Sequence, residues 1–81
     1  MNNKYQSALW HVQDALDQYD MDDIFVHLSA ADTDLKDFFD TEVMKAKRKV
    51  AITLDLNDVE AVRGHLREIE NILQGLINEN C

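Results

Sequence analysis

Residues 21–50 read MDDIFVHLSAADTDLKDFFDTEVMKAKRKV, and how this stretch is read decides the fold. At about 100° per residue, Met21, Ile24, Phe25, Leu28, Ala31, Leu35, Phe38, Phe39, Val43, Ala46 and Val50 share one side of a helix. The gaps are threes and fours, and neither Gly nor Pro interrupts them. The outer face starts acidic (Asp22, Asp23, Asp34, Asp37, Asp40) and ends basic (Lys45, Lys47, Arg48, Lys49). That order suits a helix dipole. The stretch predicts one central helix over 22–51, roughly 45 Å long. A competing reading breaks it at 29–32, where Ser29-Ala30-Ala31-Asp32 resembles a capping box and leads into Asp32-Thr33-Asp34. The unbroken apolar phase favours continuity.

Working outward, Tyr5, Leu9, Val12, Leu16 and Tyr19 are spaced 4, 3, 4 and 3, which predicts a helix over 4–19 after a frayed start at residues 1–3. Asp20 or Asp22 is placed to cap the following helix. On the C-terminal side, Asn57 with Glu60 three residues on has the capping-box pattern. Val59, Val62, Leu66, Ile69, Leu73 and Leu76 then step by 3, 4, 3, 4 and 3, predicting a helix over 57–78. Gly64 inside it implies either close approach by another helix or simple tolerance. Arg63 and Arg67 read as surface charges within reach of Glu60 and Glu70. Between the helices, Val50, Ile52, Leu54 and Leu56 alternate with Lys49, Ala51, Thr53 and Asp55, the period of a half-buried strand. No second segment alternates to pair with it. The end of the central helix followed by an extended link is the better reading than a strand paired with its copy in a dimer.

The fold expected is therefore all-α: a small antiparallel three-helix bundle with a long central helix, in one domain over 1–81. A chain of 81 residues supports one small core, and its lack of Pro and its two Gly disfavour a turn-rich β fold. The unequal helix lengths would leave part of the central stripe uncovered, so a homodimer is expected.

Charge bounds the partners. The net charge is −8, and residues 1–40 hold nine Asp against Lys4 and Lys36. Such a surface repels nucleic acid and anionic lipid and attracts basic protein surfaces. Cys81 stands alone, so no intrachain disulfide forms. The longest apolar runs are too short to span a bilayer, and residues 1–20 lack the apolar block of a secretory signal. Cytoplasmic localisation is the expectation.

The chain carries no Walker loop, GxGxxG, HExxH, CxxC or GxSxG. His11, His27 and His65 lie in three different predicted helices, and His65 with Glu68 is a weak, reversed version of a bundle metal pair. No catalytic residue, cofactor or metal site is expected, and the protein reads as no enzyme. Two features stand out instead. Trp10 lies roughly 120–140° from the apolar stripe of its helix, among Gln6, Gln13, Asp14 and Asp17. It is either covered within the monomer, by a neighbouring element or the N-terminal tail, or it anchors a partner. Asp14 and Asp17, then Asp34, Asp37 and Asp40, recur every three residues, placing carboxylates about 4.5–6 Å apart on a helix. Columns of this kind compete for a basic groove as a nucleic-acid mimic does, or they only keep a helix face soluble.

The functional expectation is a small acidic protein-binding module that docks on a basic surface of a macromolecular partner and inhibits or regulates it. Trp10, Asp14, Asp17, Asp34, Asp37 and Asp40 form its contact face. Small acidic inhibitors carried by phages or mobile elements share this size and charge. The alternative is a homo-oligomeric structural or adaptor protein whose acids only solubilise it.

Overall fold

The computed structural model of this chain describes residues 5–79. Among them there are four α-helices and no strand. The helices are α1 (Gln6–Leu16), α2 (Met21–Leu35), α3 (Thr41–Leu54) and α4 (Val59–Glu79). The expected three-helix bundle is thus a four-helix arrangement, because the predicted central helix over 22–51 is two helices. The longest extent of the fold is 34 Å, too short to hold the ~45 Å rod that a continuous helix requires.

The break lies at residues 36–40, downstream of the candidate at 29–32, which sits inside α2. The apolar phase crosses it because the link itself feeds the core. The N–H of Phe38 turns back to the carbonyl of Leu35 at 3.1 Å. Its ring packs edge-on against Tyr5, with centroids 5.3 Å apart. Phe39, one residue on, is 72% exposed. Asp40 then adopts an extended backbone (φ −59°, ψ 150°) and its carbonyl accepts the N–H of Met44 at 2.8 Å, starting α3. A period of three or four survives such a link whenever one aromatic is inserted in phase, so periodicity alone cannot locate it.

The apolar faces of the sequence are otherwise the faces that are buried. Ile24, Leu28, Ala31 and Leu35 of α2, and Val43, Ala46 and Val50 of α3, are fully buried. They join Tyr5, Ala8, Val12 and Ala15 from the α1 segment and Val62, Leu66, Ile69 and Leu73 from α4 in one cluster. The most extensive pairings are α1 on α2, α3 on α4 and α1 on α4, while α2 and α3 meet less closely than these. The architecture is two helical hairpins joined by the 36–40 link and closed by α1 against α4.

Several local expectations change. The first helix ends at Leu16, and Tyr19, expected in its apolar stripe, is 80% exposed in the link. Asp20 caps α2, its carboxylate accepting the N–H of Asp22 at 3.0 Å. Asp58, rather than Asn57, starts α4. Its side chain accepts the N–H of Glu60 at 3.1 Å and its carbonyl that of Val62 at 2.9 Å. The alternating stretch 49–56 is the end of α3 plus a link; Val50 and Thr53, three apart, are buried and Ile52 is exposed. A Cβ added at Gly64 would meet nothing within 4 Å, so no helix approaches there.

Two of the cations, Arg63 and Lys47, serve the ends of neighbouring helices rather than one long dipole. Arg63 of α4 is not a simple surface charge: its Nη1 donates to the carbonyl of Gln18 at 3.0 Å, just past the end of α1. The same guanidinium lies 5.2 Å from the Tyr19 ring centroid. Lys47 of α3 does the equivalent for α2, donating to the carbonyls of Phe38 at 3.0 Å and Lys36 at 3.3 Å. Both place positive charge just beyond a helix C-terminus. With the central helix divided, unequal helix length no longer argues for a homodimer. Among the described residues, no helix is long and apolar enough to cross a membrane.

Candidate functional site

Ser7, Trp10 and Asp14 lie on the exposed side of α1, away from the buried Ala8, Val12 and Ala15, and His11 lies half-buried at the edge between them. They form its outward side and its flank toward α2. Trp10 is 52% exposed. Cover from the N-terminal tail, like fraying at 1–3, concerns residues outside those described. Asp14 is exposed one turn beyond Trp10, and Asp17 is exposed at the C-cap of α1.

The other three candidate carboxylates part company. Asp34, near the end of α2, faces α1: its Oδ2 accepts the Ser7 hydroxyl at 2.9 Å and lies 3.5 Å from Nε2 of His11. Asp40 accepts the Tyr5 hydroxyl at 2.8 Å, which ties the start of α1 to the start of α3. Asp37 lies exposed in the link. Because α2 stops at Leu35, Asp34, Asp37 and Asp40 do not make an evenly stepped helical column. The face that remains combines Trp10, Asp14 and Asp17 on one helix, with Asp34 and Asp40 engaged beside it.

The same flank holds two residues that the sequence left apart. His27, two helical turns before Asp34, meets His11, with ring centroids 6.4 Å apart and planes at 29°. One donor atom from each of His11, Asp14 and His27 lies within 4.8 Å of the others. Nδ1 of His11 is covered and has no hydrogen-bond partner. Among the described residues, no Lys or Arg forms an ion pair with Asp14, His27 or Asp34. The spacing of His11 and Asp14 was readable as one helix turn. The arrival of His27 depends on how α2 folds back, and nothing local announces it.

This group is not arranged for nucleophilic catalysis. A serine nucleophile needs a histidine between it and the carboxylate. Here Asp34 lies between Ser7 and His11. Two imidazoles and a carboxylate are, in contrast, a donor set that divalent transition metals accept.

The second histidine–carboxylate pair lies on the other hairpin. Nδ1 of His65 is 3.6 Å from Oε2 of Glu68, and Nζ of Lys49 is 2.7 Å from the same oxygen. The hydrogen bond from Lys49, reinforced by its charge, holds the Glu68 carboxyl below its ordinary range. Comparison of the chain with protein-family models, curated proteins and solved structures gives no match.

Proposed function

We propose that the protein is a non-enzymatic acidic module that docks through α1 on a basic surface of another macromolecule and regulates it. The observation that carries this reading is Trp10, half exposed on the same outward side of α1 as Asp14, with Asp17 one turn further on. A large aromatic within a field of carboxylates has the composition of a docking anchor: the ring supplies apolar area and the charges set approach and orientation. Asp37 adds charge at the far end, whereas Asp34 and Asp40 serve the fold through Ser7, His11 and Tyr5. A nucleic-acid-mimicking inhibitor of the phage or mobile-element type remains the most specific form of the proposal. Its charge spacing would come from Asp14 and Asp17 rather than from residues 34–40.

Capture of partners from the native host by the wild-type chain and by Trp10→Ala tests the reading. A specific partner retained by the wild type and lost with the folded Trp10→Ala variant is the expected result. Its association rate should fall steeply as salt rises, because the steering charges are exposed. Equal capture by both proteins would remove Trp10 as the anchor.

A second reading is self-association. Phe39, Met44 and Ile52 expose apolar surface at the 36–40 link and along α3, beside Lys45 and Arg48. Sedimentation equilibrium separates the two: self-association predicts a dimer that survives high salt and dissociates in Ile52→Lys, whereas the docking module is a monomer.

A further inference from the structure

We infer that His11, Asp14 and His27 form a binding site for a divalent transition-metal ion of the zinc type, with Asp34 as the carboxylate that orients His11. The inference does not rest on the docking proposal. Three observations converge on it.

The first is donor geometry. Two helices contribute one potential donor atom each from three side chains, all within 4.8 Å. Donors around a four-coordinate zinc ion sit about 2.0–2.2 Å from the metal and therefore about 3.3–3.6 Å from one another. The gap to close is at most ~1.5 Å, within what rotation of the three side chains supplies without moving a helix. Pairing a one-turn couple on one helix with a ligand on its neighbour is how helix bundles build metal centres.

The second is the arrangement around His11. Its Nε2 faces the Asp34 carboxylate at 3.5 Å, and that carboxylate is itself held by the Ser7 hydroxyl at 2.9 Å. An Nε2–H turned toward that carboxylate would leave Nδ1 as the nitrogen with a free lone pair. Nδ1 of His11 is covered and has no hydrogen-bond partner, a state it shares with Nδ1 of His65, where Lys49 occupies the neighbouring carboxylate. A carboxylate behind a ligating imidazole fixes its tautomer and its ring plane. The third is charge: two carboxylates stand beside the imidazoles, and no Lys or Arg pairs with them among the described residues.

The donor set also selects the ion. Calcium and magnesium take oxygen ligands, whereas imidazole nitrogens favour zinc and its first-row neighbours. Three protein ligands leave one coordination position for water. A bound ion would clamp α1 to α2 across the flank on which Asp34 already joins them.

Calorimetric titration of the metal-free 81-residue chain with Zn²⁺ tests this, with Co²⁺ absorption reporting coordination. The expected result is saturable one-to-one uptake. Asp34→Asn should weaken it about 10-fold, the low end for an outer-shell partner, and Asp14→Asn and His27→Ala should each weaken it more, on the order of 100-fold. His65→Ala and Cys81→Ser should bind as the wild type does. Asp14 is exposed, so Asp14→Asn keeps the fold and decides the matter even where His27→Ala does not. A wild-type chain that takes up no stoichiometric Zn²⁺ overturns the proposal. So do wild-type affinity in Asp14→Asn, and uptake that disappears in Cys81→Ser.

Discussion

The two hairpins carry the same chemical vocabulary and use it differently. On α1–α2, two histidines and two carboxylates stand together and no Lys or Arg forms an ion pair with them among the described residues. On α3–α4, His65 and Glu68 stand with Lys49, whose ammonium takes the shared carboxylate oxygen at 2.7 Å. A lysine in that position satisfies the carboxylate and repels a metal cation. What separates a candidate site from an ordinary surface network is therefore one cation and one histidine rather than any motif. The basic cluster of α3 illustrates the point further: Lys45 pairs with Glu42 on its own helix, Lys47 with the end of α2 and Lys49 with α4. These cations are tied to α2, α3 and α4, and α1 is left with its aspartates.

The largest effect probes whether the hairpins are one folding unit. Leu28 is fully buried in the cluster shared by all four helices. Leu28→Ala should lower stability by about 2–5 kcal/mol. Denaturant melts followed by far-ultraviolet circular dichroism and by Trp10 fluorescence should still coincide, as one cooperative transition requires. Separate transitions would mean that α1–α2 opens alone, and the comparison would then be between two independent parts.

A smaller effect tests the contact by which α4 secures the end of α1. Arg63→Ala removes the bond to the Gln18 carbonyl and the cation beside the Tyr19 ring. The expected cost is about 1 kcal/mol, measured by urea denaturation. A lysine in its place would restore the charge but not the guanidinium beside the ring, so Arg63→Lys should fall between the wild type and Arg63→Ala.

The smallest effect sharpens the contrast in charge. Glu68 titrates below the ordinary carboxylate range because Lys49 donates to it and lies beside it. The folded value lies below the unfolded one, so the associated stability is complete above the ordinary carboxylate range. It is lost as pH falls through that range and below it. The group is exposed, so the change in stability is slight. Titration of the Glu68 side chain by NMR should show its midpoint rise toward the ordinary value in Lys49→Gln. An unchanged midpoint would remove Lys49 from its environment.

Much of this was legible in the sequence and some of it was not, for definite reasons. The buried faces of α2, α3 and α4 follow from apolar steps of three and four, which leave few alternatives to a helix. The end of α2 was hidden because Phe38 extends the apolar phase through residues that are not helical. Asp40 and Thr41 are suitable residues for a helix start, but their signal competed with a stronger-looking one at 29–32 that the chain does not use. At the candidate site, Trp10, Asp14 and Asp17 were visible as an outward set on one helix. Asp34 and Asp40 were visible as charges but not as partners of His11, Ser7 and Tyr5, because those contacts form between helices. His27 was invisible as a neighbour of His11 for the same reason. Local spacing reports what one helix presents, and only the packing of two helices reports what they present together.

The most direct measurement follows the three histidines of one sample as Zn²⁺ is added. Imidazole resonances of His11 and His27 should shift together and saturate at one equivalent, while those of His65 stay in place. Joint, unsaturating shifts of all three, or a response confined to His65, would contradict the distinction between the two hairpins.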